Sequence, residues 1–426
     1  MIRIGSVRSP LRMVAGAATF ALVASMLVRN TPVDATTYPG LNGKLACVRE
    51  LMPSRNLEVA TMNPDGSGLT NLTNHERHDY NPAWSADGTT ILFESERQVA
   101  GVSEMYRMNA DGGDPQPLVV NGGPLDRPFG FHPDSSQVVF HSNRDGNTEI
   151  YKMNADGSGQ TNLTNHPLAD ANPDWSPDGT RIVWDSSRTG NREIWTMDPF
   201  GGNLVQLTNF PGEDSGARWS PDGTKIAFQR NVEGNFDIFV MNADGTNVRN
   251  LTNHPNRETF AAWSPDGTRI AFTSYRDEPL PFGEVYTMNA ADGSDVQRLT
   301  FVAGFDGRCD WQRICTITGS GFISGTEGED VICGSPGPDR IAGFGGDDII
   351  SGFGGNDQIS GGAGIDTMFG GIGADQISGG RSLDFPSAGP GDDRVVADGG
   401  ERIDVGAGRD TCAIGGSLTV CPPRLS

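Results

Sequence analysis

The chain is short of positive charge. It holds 32 lysines and arginines against 54 aspartates and glutamates, a formal charge of −22. Phosphate backbones and anionic membrane surfaces should repel such a chain, which argues against nucleic acid and in favour of cations or basic partners. Long apolar runs are scarce too. The one that stands out, Met13 to Val28, is shorter than the ~20 residues needed to span a bilayer. Arg3, Arg8 and Arg12 precede it and Val33-Asp34-Ala35 follows, the pattern of a secretory signal peptide over 1–35. No other segment is apolar enough to cross a membrane, so no transmembrane segment is expected after cleavage. Cysteine is limited to six residues with no CxxC pair, which favours disulfides in an exported chain over a zinc site. Catalytic motifs are missing as well. There is no GxSxG, His75-Glu76-Arg77-His78 lacks HExxH spacing, and His75, His166 and His254 are one repeat position seen three times.

What the chain does contain is repetition. "WSADGT" begins at Trp84 and "WSPDGT" at Trp175, Trp219 and Trp263, with a degenerate copy at Phe131 and a truncated one at Trp311. Each unit reads as four short strands. The segment leading to the Trp is followed by an Asp-Gly turn and an alternating run such as "RIVWDS". A second run such as "EIYKM" leads into a tight "NADGSG" turn, and the unit closes on "LTN". Asp-Gly pairs between alternating apolar runs signal hairpins, and four strands per ~40–50 residues signal a propeller blade. "NGKLACV" (Asn42 to Val48) matches the strand after the turn, and "CDW" (Cys309 to Trp311) matches the strand before it. The two ends can therefore complete one blade together, leaving no open sheet edge and giving six blades.

"NPDWSPDGTRIVW…EIWTM" and its siblings resemble the TolB-like propeller, a six-bladed relative of WD-repeat proteins. The resemblance implies a propeller over 36–312, a fold that serves as a binding scaffold and as a gating domain joined to peptidases. A further feature lies inside the repeat. Five residues before each anchor stands an acid: Asp79, Asp126, Asp170, Asp214, Glu258 and Asp306. In the family the strand carrying the anchor is innermost, so six carboxylates could ring one mouth of the channel and bind a cation or basic peptide. Equally, each could satisfy a local turn or a neighbouring blade, copied six times.

After Cys315 the period changes to nine. Asp330, Asp339, Asp348, Asp357, Asp366 and Asp375 are each followed two residues later by Ile332, Ile341, Ile350, Ile359, Met368 or Ile377. Each is preceded two residues earlier by Gly328, Gly337, Gly346, Gly355, Gly364 or Gly373. A flexible linker has no need to keep phase. The apolar residue suits a thin core, glycine suits a turn that brings backbone carbonyls close to an ion, and aspartate completes an all-oxygen shell of the kind Ca2+ prefers. This is the GGxGxDxUx nonapeptide, and it resembles the RTX family of calcium-binding parallel β-rolls. The pattern decays beyond Gly380: Asp393 keeps it, Asp384 is flanked by Ser382 and Pro386, and Asp410 is out of phase. The expected metal set is thus the first six aspartates with Asp393, and the glycines two before the first six supply turns and carbonyls.

The expectation is an all-β chain, a six-bladed β-propeller plus a C-terminal parallel β-roll over 313–426. Cys47 and Cys309 lie on strands that share a blade and are expected to pair. Cys315–Cys333 and Cys412–Cys421 would then cap the roll. The functional expectation is a secreted or envelope protein, without enzymatic activity, whose propeller binds a protein or glycan and whose roll folds on calcium. An extracellular hydrolase or lyase acting at the channel mouth and a structural surface-attachment protein are the alternatives. An enzyme would be sought where the repeat is broken, as in the inserts at 119–131 and 277–283.

Overall fold

The computed structural model describes residues 41–420, apart from 100, 120–124, 134, 178, 278–281, 302–303, 336, 372, 390, 398–402, 404, 406–407 and 415–416. The segment expected to be a signal peptide lies outside the described residues, as do the middles of both inserts.

Alternating apolar runs separated by Asp-Gly turns fold as six four-stranded antiparallel sheets. The "NADGSG" turn shows why these residues are needed. Asn154 N–H donates to the Ser158 carbonyl, Asp156 accepts the Ser158 N–H, and Gly157 takes φ +87°. Aspartate closes the turn and glycine tolerates the left-handed backbone. Five sheets use consecutive strands. In the sixth, Asp306–Ile314 pairs with Leu41–Leu51, with Leu45 opposite Trp311 and Arg49 opposite Asp306. The Cys47–Cys309 disulfide joins those two strands, so the ring is closed both by hydrogen bonds and covalently. Apolar side chains pack between neighbouring sheets: Val139 and Ile150 of one blade meet Trp175, Ile182, Trp184 and Met197 of the next. Each fully buried side chain of this size contributes about 1.5–3 kcal/mol.

The innermost strands share an irregularity. Register slips occur between Tyr80 and Ala83, Ala171 and Asp174, Ser215 and Arg218, and Thr259 and Ala262. At the bulges Asn81, Asn172, Gly216, Phe260 and Arg308 take positive φ. Such bulges bend a strand and re-aim its side chains.

From Ile317 onward the chain winds into two sheets, a parallel one of five strands and one of seven that is parallel except for its last pair, Thr411–Ile414 with Ser417–Val420. Through the body of the roll, successive strands of a sheet are eighteen residues apart, so two nonapeptides make one coil, as in Ile341↔Ile359↔Ile377↔Val395. The core is a single file of those residues with Ile323, Ile332, Ile350, Met368, Ala388 and Cys412. Cys315–Cys333 ties the first coil, and Cys412 is disulfide-bonded while its expected partner Cys421 lies outside the described residues.

Candidate functional site

The nonapeptide aspartates form two ladders, one along the start of each sheet. Asp348, Asp357, Asp366 and Asp375 accept through Oδ1 the backbone N–H of Asp330, Asp339, Asp348 and Asp357, the residue one coil earlier, at 2.8–3.0 Å. Asp384, Asp393 and Asp410 continue the same bond to Asp366, Asp375 and Asp393. Asp384 and Asp410, left out of the metal set expected from the sequence, therefore belong to the ladders. Asp384 keeps the nine-residue phase even though its neighbours do not, and phase is the signal that would have found it.

The second carboxylate oxygen separates the rungs. In Asp348, Asp357, Asp366, Asp375 and Asp393 the Oδ2 atom is buried with no hydrogen-bond partner. An ionised oxygen in that position is costly unless something positive meets it. Each of the first four rests against the Cα of a glycine five residues back. A Cβ on Gly352 would stand 2.0 Å from Asp357 Oδ2 and 2.6 Å from the Gly370 carbonyl oxygen, and one on Gly361 would stand 2.3 Å from Asp366 Oδ2 and 2.7 Å from the Gly379 carbonyl. The carboxylate and carbonyl oxygens thus face one small space that only glycine leaves open. Asp330 and Asp339 differ. Their Oδ2 atoms accept from the backbone N–H and hydroxyl of Thr326 and Ser335.

The glycines two before each aspartate divide in the same way. Gly346, Gly355, Gly364 and Gly373 have positive φ and lie over the backbone of the previous coil, whereas Gly328 and Gly337 have only a hydroxyl oxygen at 3.8 Å. Burial, with neighbouring aspartates adding to it, pushes the pKa of Asp357 up to about 8 and of Asp393 to about 7, and raises Asp348. Asp366 and Asp375 are pushed by burial to about 6. Among the described residues no three side-chain donors converge on one point, so any ion here would draw most of its shell from backbone carbonyls. An array of buried carboxylate oxygens beside carbonyls, with no nitrogen or sulfur, fits a hard cation such as calcium.

The six propeller acids begin the innermost strands and are 0–3% exposed. Five meet an arginine at the end of the next strand of their own blade: Asp79–Arg97, Asp126–Arg144, Asp170–Arg188, Asp214–Arg230 and Glu258–Arg276, at 2.7–3.2 Å. Each guanidinium also lies over two aromatic rings of the blade, as Arg188 does over Trp184 and Trp195. The carboxylates are thus directed into the blades. These arginines were not singled out in the sequence, although they recur at or just beyond the end of the second strand in "SER", "SNR", "SSR", "FQR" and "SYR". Asp306 is the exception. Arg49 stands opposite it in the sheet, and burial and Glu284 push its pKa to about 7.

Family models match both parts. The TolB β-propeller domain matches 127–209, the N-terminal β-propeller domain of Tricorn protease matches 192–279, and the RTX calcium-binding nonapeptide repeat matches 324–359 and 351–386. The chain joins a TolB-type propeller to RTX calcium-binding repeats. The Tol-Pal system protein TolB of Anaeromyxobacter dehalogenans is 32% identical over 120 residues, 28% of this chain and 26% of the relative. The match thus spans about a quarter of that relative's length. TolB from Acinetobacter baumannii superimposes with a TM-score of 0.56 at 23% identity, covering 63% of this chain and 66% of that one. Hydrazine synthase of Kuenenia stuttgartiensis gives 0.55 at 13% identity, covering 65% and 47%. At these identities the two solved structures support the propeller fold alone. The RTX-type roll accordingly makes this a calcium-binding propeller protein.

Proposed function

We propose that the chain is an exported, non-enzymatic binding protein in which the TolB-type propeller is the recognition scaffold and the RTX-type roll is a calcium-dependent folding unit. The observation that carries the reading is the run of buried, unpartnered Oδ2 atoms at Asp348, Asp357, Asp366, Asp375 and Asp393, each a rung of a continuous ladder. Calcium held by these carboxylates, by Asp384 and by the neighbouring carbonyls would supply the positive charge they lack. Glycine-rich backbone is costly to order and one apolar residue per nine residues buries little surface, so binding energy would act as folding energy. Asp330 and Asp339, already held by Thr326 and Ser335, would cap the first coil. Two disulfides and the acidic composition fit an oxidising, calcium-rich compartment outside the cytoplasm. A protein or glycan is the partner class proposed for the propeller.

Calorimetric titration of the full chain tests this. Calcium should bind at ~10⁻⁴–10⁻³ M, the range of extracellular modules, with magnesium far weaker because it demands octahedral geometry. Absence of calcium heat at millimolar concentration, or equal binding by a variant with Asp357, Asp366 and Asp375 changed to Asn, would sink the proposal.

A further inference from the structure

The axial channel of the propeller contains a second polar constellation. A pocket with an enclosed volume of about 90 Å3 lies among the inner strands and is lined by Asn81, Arg127, Asn172, Arg218, Phe260 and Arg308. The blades are copies of one another almost everywhere, yet the bulge position two residues after each acid holds Asn81, Pro128, Asn172, Gly216, Phe260 and Arg308. Duplication explains residues that are alike, not five kinds among six positions. Phe260 and Arg308 adopt φ +57° and +50°, an uncommon backbone for such bulky residues and one that tends to occur where a site is being shaped.

Two of the guanidinium groups make no close ion pair among the described residues, although Arg218 lies within electrostatic reach of Asp174, Asp185 and Asp310, and Arg308 within reach of Glu94. Arg308 lies over the Phe260 ring at 4.5 Å and donates to Asn81 Oδ1 at 2.8 Å. Arg218 lies over Phe129 at 5.3 Å and donates to the Ala217 carbonyl at 3.0 Å. Among the described residues neither forms an ion pair, in contrast to the five arginines that hold the blade acids.

The carboxylates around them are partly engaged, although Glu94 Oε2 is buried with no hydrogen-bond partner and Asp185 Oδ2 meets only Arg192, at 3.3 Å. Glu94 is held by Arg127 and Asn81. Asp185 is held by Arg192, Asn172 and the Gly216 N–H. Asp174 and Asp310 accept the backbone N–H of Trp219 and Trp84. A guanidinium braced flat on an aromatic ring keeps its N–H fork oriented, and that fork matches a carboxylate through two parallel bonds.

We infer that the axial pocket binds a small organic carboxylate, gripped by the unpaired guanidinium groups of Arg218 and Arg308 between the rings of Phe129 and Phe260. The enclosed space is small, so only the charged head of a ligand enters it and the rest lies in the open mouth. It lies toward the end of the inner strands that begins with the six acids. The roll meets the propeller at the other end, where Phe353 and Cys333 border the same cleft as Asp87, Pro133 and Ser135 of the propeller turns. The site is therefore separate from the calcium ladders.

The test is calorimetry on the full chain in saturating calcium, with D-glucuronate and glutarate as probes and D-glucose as the uncharged control. The expected result is binding of at least one acid at micromolar to millimolar concentration, no binding of glucose, and at least a tenfold loss in Arg308→Gln and Arg218→Gln. Melting temperature and calcium heat should stay unchanged in both variants. The inference is overturned if neither acid binds at about 10 mM, if glucose binds as well as glucuronate, or if correctly folded variants bind the acid as the parent does. The glucose comparison needs no variant, so a misfolded substitution would not leave the question open.

Discussion

The ladder carboxylates make the roll's stability depend on pH in a direction opposite to the usual one. Burial holds Asp357, Asp366, Asp375 and Asp393 at about 8, 6, 6 and 7, against an ordinary value of 3.8. A carboxyl with a higher pKa folded than unfolded binds more protons in the folded state. Without calcium the folded roll therefore loses stability as pH rises from about 4 through about 8. One pKa unit corresponds to about 1.4 kcal/mol. After a discount for solvent screening, ionising all four inside a calcium-free roll costs on the order of 10 kcal/mol. That equals the whole stability of a typical domain, about 5–15 kcal/mol. The assay is hydrogen exchange on the calcium-stripped full chain, corrected for intrinsic rates, followed on the strands Arg340–Gly345, Gln358–Ala363 and Gln376–Gly380. These amides should be protected near pH 5, exchange almost freely near pH 7.5, and regain protection at pH 7.5 on adding calcium. Propeller amides should not follow them. Equal or greater protection of the calcium-free roll at pH 7.5 than at pH 5 would refute the reasoning.

Other outcomes follow from the same geometry. Gly361→Ala drives a Cβ to 2.3 Å from Asp366 Oδ2 and should weaken calcium binding tenfold or more by titration, while Gly328→Ala, whose nearest neighbour is a hydroxyl at 3.8 Å, should bind normally. Asp357→Asn should reduce the bound-calcium stoichiometry, whereas Asp330→Asn should leave it unchanged because Thr326 already holds that oxygen. Asp170→Ala strands the buried Arg188 and should cost about 3–5 kcal/mol in denaturant unfolding of the propeller, with calcium binding intact. Replacing both Cys47 and Cys309 by Ser releases a closure spanning 262 residues and should lower propeller stability by about 2–5 kcal/mol without affecting the roll's calcium requirement.

Much of the architecture was legible because repeats expose their own logic. The Asp-Gly turns and alternating runs foretold the blades, and the matching ends foretold the shared sixth sheet, since an unpaired edge is costly. The Cys47–Cys309 pair followed from strand placement, and Cys315–Cys333 from the expectation of a cap on the roll. The nine-residue beat of aspartate and isoleucine foretold a coil with a thin core. What failed was judging rungs by their neighbours: Asp384 lacks the flanking glycine and isoleucine, but an eighteen-residue coil places it in the ladder regardless.

Composition and periodicity alone determined that this is an all-β chain of two repeat systems, because turn chemistry and side-chain period are local properties. Tertiary structure decided how each acid is used. Asp170 and Asp357 are both buried aspartates, the first beginning a strand and the second immediately preceding one. One meets a guanidinium stacked on two aromatic rings, the other a glycine and a carbonyl oxygen. That difference comes from groups distant in sequence, Arg188 eighteen residues on from Asp170 and the Gly370 carbonyl thirteen residues on from Asp357. Only closure of the blade and stacking of the coils bring such groups into contact, so the sequence around each aspartate could not distinguish an ion pair from a metal ligand.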